Sequence, residues 1–383
     1  MDWSFLIRNK ESIHVTTDSR KVTPGCVFVA LKGEHFDGND FVEQARRDGA
    51  EYIISGENAL AELQDLARAW RRELGLPILG ITGTNGKTTT KELCAAVLST
   101  KYKLYYTQGN LNNQLGVPLT LLNITRAHEM AIVEMGASHP GDIKELVEIA
   151  EPNYGLITNV GKAHLQGFGS FEGVMRTKAE LYDFLRAHNG FCFRNTDNPY
   201  LAQMAGDLKT VEYHTGTMPS DTHLVGGYNA ENVSAAICVG QYFGVSEEDA
   251  LAAIRAYIPS NNRSQLMQTE KNTVVVDAYN ANPTSMQAAI NAFKGDCYIL
   301  GAMRELGEYS HLEHQNIVNM LLERKAEKVL LVGEEYKETT APYPVFENVE
   351  ALCQSLQQEP LSGDTILLKG SRSNQLEKVI PLL

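Results

Sequence analysis

Pro77-Ile78-Leu79-Gly80-Ile81-Thr82-Gly83-Thr84-Asn85-Gly86-Lys87-Thr88-Thr89-Thr90 is the stretch on which the reading of this chain turns. The short apolar run 77–81 reads as a buried strand, the two glycines as a turn, and Lys87 with three threonines as the start of an apolar-periodic helix. That layout aims backbone N–H groups and a helix N-terminus at an anion, with the lysine reaching the outer phosphates. Thr88 adds a hydroxyl placed to ligate Mg²⁺. The general phosphate-loop pattern has a glycine five residues before Gly86, where this chain has Ile81; the form present is Gly-x-x-Gly-Lys-Thr, residues 83–88. An ordinary strand-to-helix turn would account for the glycines but leaves Lys87 and the threonine run unexplained.

Outward from this loop, residues 76–258 alternate apolar strands and amphipathic helices, as a mostly parallel sheet requires. Strands are expected at Ile78–Thr82, Met130–Glu134, 154–159 and 190–194. Each ends in polar residues, where open α/β sheets bind ligands. Glu134, at a strand end beside the loop, is a candidate for Mg²⁺. Asn159 and His164 follow the third strand, and the polar turn 110–116, with Asn113, precedes an apolar helix and faces the same side. His164 alone is ambiguous, and Lys178, in Arg176-Thr177-Lys178-Ala179-Glu180, reads locally as part of a solvated helix face.

On one flank, residues 1–75 read as a small α/β domain. It has a polar turn at 17–25, a strand at 26–31, a glycine-punctuated loop at 32–38, and helices at 41–47 and 59–73. Ser19, Arg20 and Lys32 suit an anionic ligand or, equally, capping and solvated charge. On the other flank, residues 259–383 form a second βα alternation, with strands at Thr273–Asp277, 297–300, Lys328–Val332 and Thr365–Lys369. Polar clusters again follow the strands, at 277–283, 301–307 and 369–372. Residues 258–263 read as a linker.

At 383 residues the chain exceeds one typical domain, and its 43% hydrophobic content can fill real cores. A net charge of −13 leaves no electrostatic case for nucleic acid or an anionic membrane surface. No apolar stretch approaches a membrane span, and Met1-Asp2-Trp3 lacks the basic start and apolar core of a signal peptide. The six cysteines (Cys26, Cys94, Cys192, Cys238, Cys297, Cys353) show no CxxC pairing, which suits free thiols in a reducing cytoplasm.

Taken together, seven segments resemble the Mur ligase family, the ATP-dependent amide-bond ligases of peptidoglycan precursor synthesis, over nearly the whole chain. They are residues 18–25 (DSRKVTPG), 80–91, 109–122 (GNLNNQLGVPLTLL), 134–137 (EMGA), 158–165 (TNVGKAHL), 277–286 (DAYNANPTSM) and 369–372 (KGSR). The resemblance implies an α/β fold of three domains: a small N-terminal α/β domain, a central P-loop-type domain with a mostly parallel sheet, and a Rossmann-like C-terminal α/β domain. It implies ATP and Mg²⁺ as cofactors. Gly83, Thr84, Asn85, Gly86, Lys87, Thr88 and Thr89 would hold the phosphates, and Asn232, Arg263, Asp277, Asn280 and Asn282 the adenine and ribose side. Thr88, Glu134, His164 and Lys178 become the metal set, Lys178 as a carbamate. Lys87, Glu134, His164 and Lys178 become the catalytic group. Ser19 and Arg20 would serve a uridine nucleotide; Asn113, Arg304, Ser371 and Arg372 are further substrate candidates.

The resemblance is to the branch that joins D-alanyl-D-alanine to UDP-N-acetylmuramoyl-tripeptide, with no nucleic-acid or membrane partner, as a cytoplasmic monomer. An amino-acid-adding member, a folylpolyglutamate-synthase-like ligase and a non-ligating nucleotide-binding relative are the alternatives. Three departures stand out. Tyr228 occupies a position where the family often has histidine, Ala302 one where it has aspartate, and the stretch 195–226 is short.

Overall fold

The structure is a computed structural model that describes residues 2–34, 36–219, 221–259 and 263–383. Residues 260–262 of the linker expected at 258–263 therefore lie outside the described residues, as does His35 of the N-terminal glycine loop.

Three sheets organise the chain. The first is a small parallel sheet of β1 (Val15–Thr16), β2 (Val27–Val29) and β3 (Tyr52–Ile54). The second holds β4 (Ile78–Thr82), β5 (Leu104–Tyr106), β6 (Met130–Glu134), β7 (Tyr154–Ile157), β8 (Phe191–Asn195) and β9 (Thr210–Tyr213) in the order β5-β6-β4-β7-β8-β9, with every pairing parallel. The third holds β10 (Gln265–Gln268), β11 (Thr273–Asp277), β12 (Cys297–Gly301), β13 (Lys328–Val332), β14 (Val345–Phe346) and β15 (Thr365–Lys369) in the order β10-β11-β15-β12-β13-β14; only β10 runs antiparallel among the described strands.

The central strands β4 and β6 are buried along their whole length, because helices cover both faces of a parallel sheet. The chain leaves β4 toward β6 on one side and returns to β7 on the other. The carboxyl end of β4 is thus a topological switch point, the crevice where such sheets bind ligands. The helix Lys87–Leu98 starts directly from it.

The helix Ala59–Leu74 belongs in sequence to the first unit but docks on the second. Its buried face, Leu63, Leu66, Ala67 and Trp70, shares one core with Val117, Leu121 and Leu146. Burial of each large side chain there contributes about 2 kcal/mol. Polar groups lock the contact: Trp70 Nε1 donates to the Ile124 carbonyl at 2.8 Å, and Arg71 Nε to the Ala150 carbonyl at 3.0 Å.

The buried strands follow the apolar runs closely. The third expected strand is shorter than 154–159, since pairing stops at Ile157 and Thr158 and Asn159 spend their polar groups on the phosphate loop. The expected helix 41–47 opens with a 3₁₀ turn, Gly38–Phe41, capped by Asp37. Strands β5, β9 and β10 carry no expectation; they are short or lie toward sheet edges, where burial and therefore hydrophobic patterning weaken.

Candidate active site

Two glycines shape the loop between β4 and its helix. Gly83 has φ +140°, and a Cβ there would sit 2.0 Å from Thr158 Oγ1; Gly86 has φ +77°, and a Cβ would sit 2.4 Å from Asn232 Oδ1. Both the backbone angle and the close approach exclude a side chain. The end of β7 braces the loop from below. The Asn85 N–H donates to Asn159 Oδ1 at 3.0 Å, and the Asn85 carbonyl accepts from Thr158 Oγ1 at 2.6 Å and Asn159 Nδ2 at 3.2 Å. The Thr84 N–H donates to the Asn159 carbonyl at 2.9 Å. Gly86 caps the helix without any side-chain bond, so the first-turn N–H groups remain turned toward the cleft.

Lys87 folds back over this cradle, donating to the carbonyls of Gly83 at 2.9 Å and Thr84 at 3.0 Å. Burial is the main force on its ammonium, which drops to about 8; Glu134 opposes that shift and Arg263 adds to it. A phosphate would replace the two carbonyls as partner and restore the charge.

Glu134 closes β6 at 1% exposure. Its Oε1 accepts from Thr88 Oγ1 at 3.1 Å and Asn112 Nδ2 at 2.8 Å, while Oε2 is buried without a hydrogen bond. Lys91, fully buried behind it, stands 3.8 Å from Oε2 and is tied to the Thr107 carbonyl at 2.7 Å. A buried carboxylate oxygen with no hydrogen bond, next to a threonine hydroxyl, fits a hard divalent cation. Among the described residues no three His, Cys, Asp or Glu side chains gather into a metal-holding cluster. A set this sparse suits Mg²⁺, which keeps waters and takes substrate phosphates as ligands.

His164 lines the same cleft of 820 Å³ as Lys87, Thr88 and Glu134. It sits at φ +49°, and its Nδ1 is in contact with Glu305, a carboxylate from the third unit. Burial pulls its pKa below 6.5 against the pull of Glu305. Lys178 does not line the cleft. It is not the solvated residue that its local sequence suggested: it is 2% exposed, its Nζ lies 5.5 Å from the centre of the Phe168 ring, and burial with the nearby Lys87 charge drives its pKa well down. A neutral buried amine is the form that reacts with CO₂.

The third unit supplies the opposite wall. Asn282 caps the helix Pro283–Ala292 and exchanges amide hydrogen bonds with Asn85, at 2.8 and 3.5 Å. On the second unit's own side, Asn232 accepts from Thr90 Oγ1 at 2.9 Å. The Arg263 guanidinium lies 3.9 Å above the Tyr279 ring, and its buried Nε has no hydrogen-bond partner among the described residues. Asp277 pairs with buried Lys369 at 3.0 Å, and Lys369 donates to the Asn280 carbonyl at 2.7 Å. Tyr228, which lines the cleft from the second unit, bonds Ser264 Oγ of the third at 2.8 Å.

Asn113 lines the cleft, but its Oδ1 caps the Gly116 N–H at 2.9 Å; its neighbour Asn112 makes the contact with Glu134. Nothing in a polar turn distinguishes adjacent asparagines. Glu305 and Tyr279 also line the cleft without a prior signal beyond their place after strand ends. Ser19, Arg20, Arg304, Ser371 and Arg372 lie outside it. Arg20 is held by Asp18 through two bonds of 2.8 Å, Arg304 pairs with Glu335, Ser371 Oγ bonds Asn374 Oδ1 at 2.7 Å, and Arg372 is exposed.

Comparison with known proteins places this geometry. The models for the Mur ligase family catalytic domain, the Mur ligase middle domain and the Mur ligase glutamate ligase domain match residues 13–96, 81–215 and 262–372. The UDP-N-acetylmuramoyl-tripeptide–D-alanyl-D-alanine ligase of Bacillus subtilis (strain 168) is 33% identical, with 96% of this chain and 92% of that protein aligned. The protein of the same name from Escherichia coli (strain K12) is 32% identical, over 96% and 93%. Among solved structures, the MurF ligase of Thermotoga maritima in complex with ADP superposes with a TM-score of 0.86 at 28% identity, covering 98% of both chains. MurF from Acinetobacter baumannii superposes with a TM-score of 0.83 at 28% identity, covering 96% of this chain and 93% of that one. With three family domains matched in order and relatives above 30% identity along nearly its whole length, the chain belongs to the Mur ligase family.

Proposed function

We propose that this chain is an ATP-dependent amide-bond ligase that joins D-alanyl-D-alanine to UDP-N-acetylmuramoyl-tripeptide and releases ADP and phosphate. One observation carries the reading: Lys87 and Thr88 stand beside a buried carboxylate, one oxygen of which has no hydrogen bond, in a chain aligned over 96% of its length with ligases of that name. The phosphates of ATP lie on residues 83–89, and its adenine and ribose against Asn232, Arg263, Asp277, Asn280 and Asn282. Thr88 and Glu134 would hold Mg²⁺, and His164 with carbamylated Lys178 would serve a second ion; such ions neutralise charge on the phosphate oxygens when bound.

The tripeptide carboxylate attacks the γ-phosphorus, ADP departs, and an acyl phosphate remains. The amine of D-alanyl-D-alanine then attacks the acyl carbon, loses its proton, and phosphate leaves. Lys87 stabilises charge as it develops on the transferring phosphoryl group. Closure of the third unit brings the amine to the acyl phosphate and excludes water that would hydrolyse it. Ser19 and Arg20 serve the uridine end, and Asn113, Arg304, Ser371 and Arg372 the peptide substrates. The reading extends to a cytoplasmic monomer divided at residues 1–75, 76–258 and 259–383.

Purified protein with ATP, Mg²⁺, UDP-N-acetylmuramoyl-tripeptide and D-alanyl-D-alanine, followed by mass spectrometry, tests it. The amide product is expected. Its absence beside an active control overturns the reading, and product with a single amino acid in place of the dipeptide moves the chain to another branch.

A further inference from the structure

Lys162 belongs to neither the phosphate cradle nor the metal set, yet it stands between the two units that form the cleft. Its Nζ lies 2.9 Å from Glu313 Oε1 of the helix Ser310–Glu323, and its backbone N–H donates to Thr284 Oγ1 at 3.1 Å. The two ends of the ion pair differ. The lysine side chain is 55% exposed, whereas the Glu313 side chain is 2% exposed and has, besides Lys162, an amide contact from Asn316 at 3.3 Å. An ion pair between exposed groups is worth little. A buried carboxylate is different: taking away its cation leaves a charge in a low-dielectric setting with nothing to offset it.

The segment carrying Lys162 is bonded at both ends. Upstream, Asn159 holds Asn85 and Thr84 of the phosphate loop, and the Gly161 N–H donates to Thr84 Oγ1 at 3.0 Å. Downstream, His164 meets Glu305, and the Gln166 N–H donates to the Glu305 carbonyl at 3.3 Å. A Cβ on Gly161 would stand 2.8 Å from Thr284 Oγ1, so the Thr284 side chain packs directly against this backbone. Residues 158–166 therefore touch the phosphate loop on one side and the third unit on the other.

We propose that Lys162 is a positioning residue. Its ion pair with Glu313 holds the third unit against the strand-end segment and so keeps Asn282, Glu305 and Arg263 over the phosphate loop during turnover. Lys162 touches no reacting atom; it acts by fixing where the opposite wall of the cleft stands. The proposal rests on the ligase reading for its kinetic readout and is independent of that reading for its structural one.

The test uses the full chain as Lys162→Met, Lys162→Arg and Glu313→Gln, each checked for a cooperative melt. Small-angle scattering with ADP and Mg²⁺ reads the arrangement of the units. Lys162→Met is expected to show a larger radius of gyration than wild type, and Lys162→Arg the wild-type value. In the ligation assay, Lys162→Met and Glu313→Gln should lower kcat about tenfold while KM for ATP stays within about twofold; misplacing a catalytic wall costs rate more than nucleotide binding. Wild-type scattering and kcat in Lys162→Met overturn the proposal, as does a kcat loss that Lys162→Arg shares. If wild type itself forms no amide, the substrate assignment has failed, and the scattering comparison decides the role of Lys162 alone.

Discussion

Glu134 and Lys87 set the electrostatics of the cleft between them. Glu134 presents one oxygen to Thr88 and Asn112 and leaves the other buried without a hydrogen bond. Glu134→Gln keeps the shape and removes the charge. It should lower turnover on the order of 10²-fold and abolish the extra thermal stabilisation that Mg²⁺ gives to ADP-bound protein; a melt series with and without Mg²⁺ checks this, and an unchanged Mg²⁺ effect refutes the assignment. Lys87 titrates near 8 in the free protein because burial outweighs the attraction of Glu134. Below that pH it already carries its proton. Above it, an arriving phosphate must restore the proton, so ADP affinity is level below about 8 and weakens as pH rises beyond it. Calorimetry in two buffers of different ionisation heat should register proton uptake at pH 9 and none at pH 6.5. At this scale the sequence exposed the residues with a fixed chemical pattern, such as Lys87 and Thr88. It could not separate Asn112 from Asn113, because a polar turn has no periodicity to say which side chain points where. Nor did it show that Lys178 is buried, since the side-chain surroundings of a helical lysine are set by packing from distant segments.

Helix ends do double service. Asn282 caps the helix Pro283–Ala292 by accepting from the Ser285 N–H at 2.9 Å, and donates through Nδ2 to Asn85 at 2.8 Å. Asn282→Asp retains the acceptor that caps the helix and loses the donor, placing a carboxylate against the phosphate loop. The melting temperature should hold within about 2 °C, since the cap survives, while ADP binding weakens about tenfold or more; loss of stability without loss of affinity would contradict the double role. The helix Ser310–Glu323 carries His314, which is fully buried and neutral. Its Nε2 accepts from the Met303 N–H at 3.0 Å, and its Nδ1–H donates to the Ser310 carbonyl at 2.7 Å. Burial is the larger influence and holds its pKa below 6.5, so the unfolded chain binds a proton more readily than the folded one. The stabilisation is complete above pH 6.5 and is lost as pH falls through the folded value. Each unit of pH inside that window costs about 1.4 kcal/mol. Denaturation at pH 7.5 and at pH 5.5 should show wild type losing stability at the lower pH and His314→Gln losing less. Interior strands such as β4 and β6 were legible as unbroken apolar runs, whereas the short or peripheral β5, β9 and β10 gave no such signal.

Across the whole molecule, Lys87, Arg263 and Lys369 line the cleft beside Glu134, Asp142, Glu231, Asp277 and Glu305, inside a chain of net charge −13. An approaching nucleotide anion meets repulsion at long range and attraction only at close quarters. Raising ionic strength from about 10 to 150 mM shortens the Debye length from about 30 to 8 Å and should therefore speed ADP association two- to threefold, roughly, by screening the outer field. Stopped-flow with a fluorescent nucleotide measures it, and a rate that falls with salt would show that local focusing dominates. The βα alternation of residues 76–258 and 259–383 was readable from the sequence; the docking of helix Ala59–Leu74 on the second unit was not, because an amphipathic helix shows that it has an apolar face without showing whose core receives it. The amide pair between Asn85 and Asn282 has a consequence in time as well as in space. Its members are 197 residues apart, so the loop emerges from the ribosome long before its opposite wall has been made. If units of the chain fold as they are synthesised, the nascent protein carries a finished phosphate cradle that cannot yet be closed, and competence for coupled chemistry is the last property that translation confers.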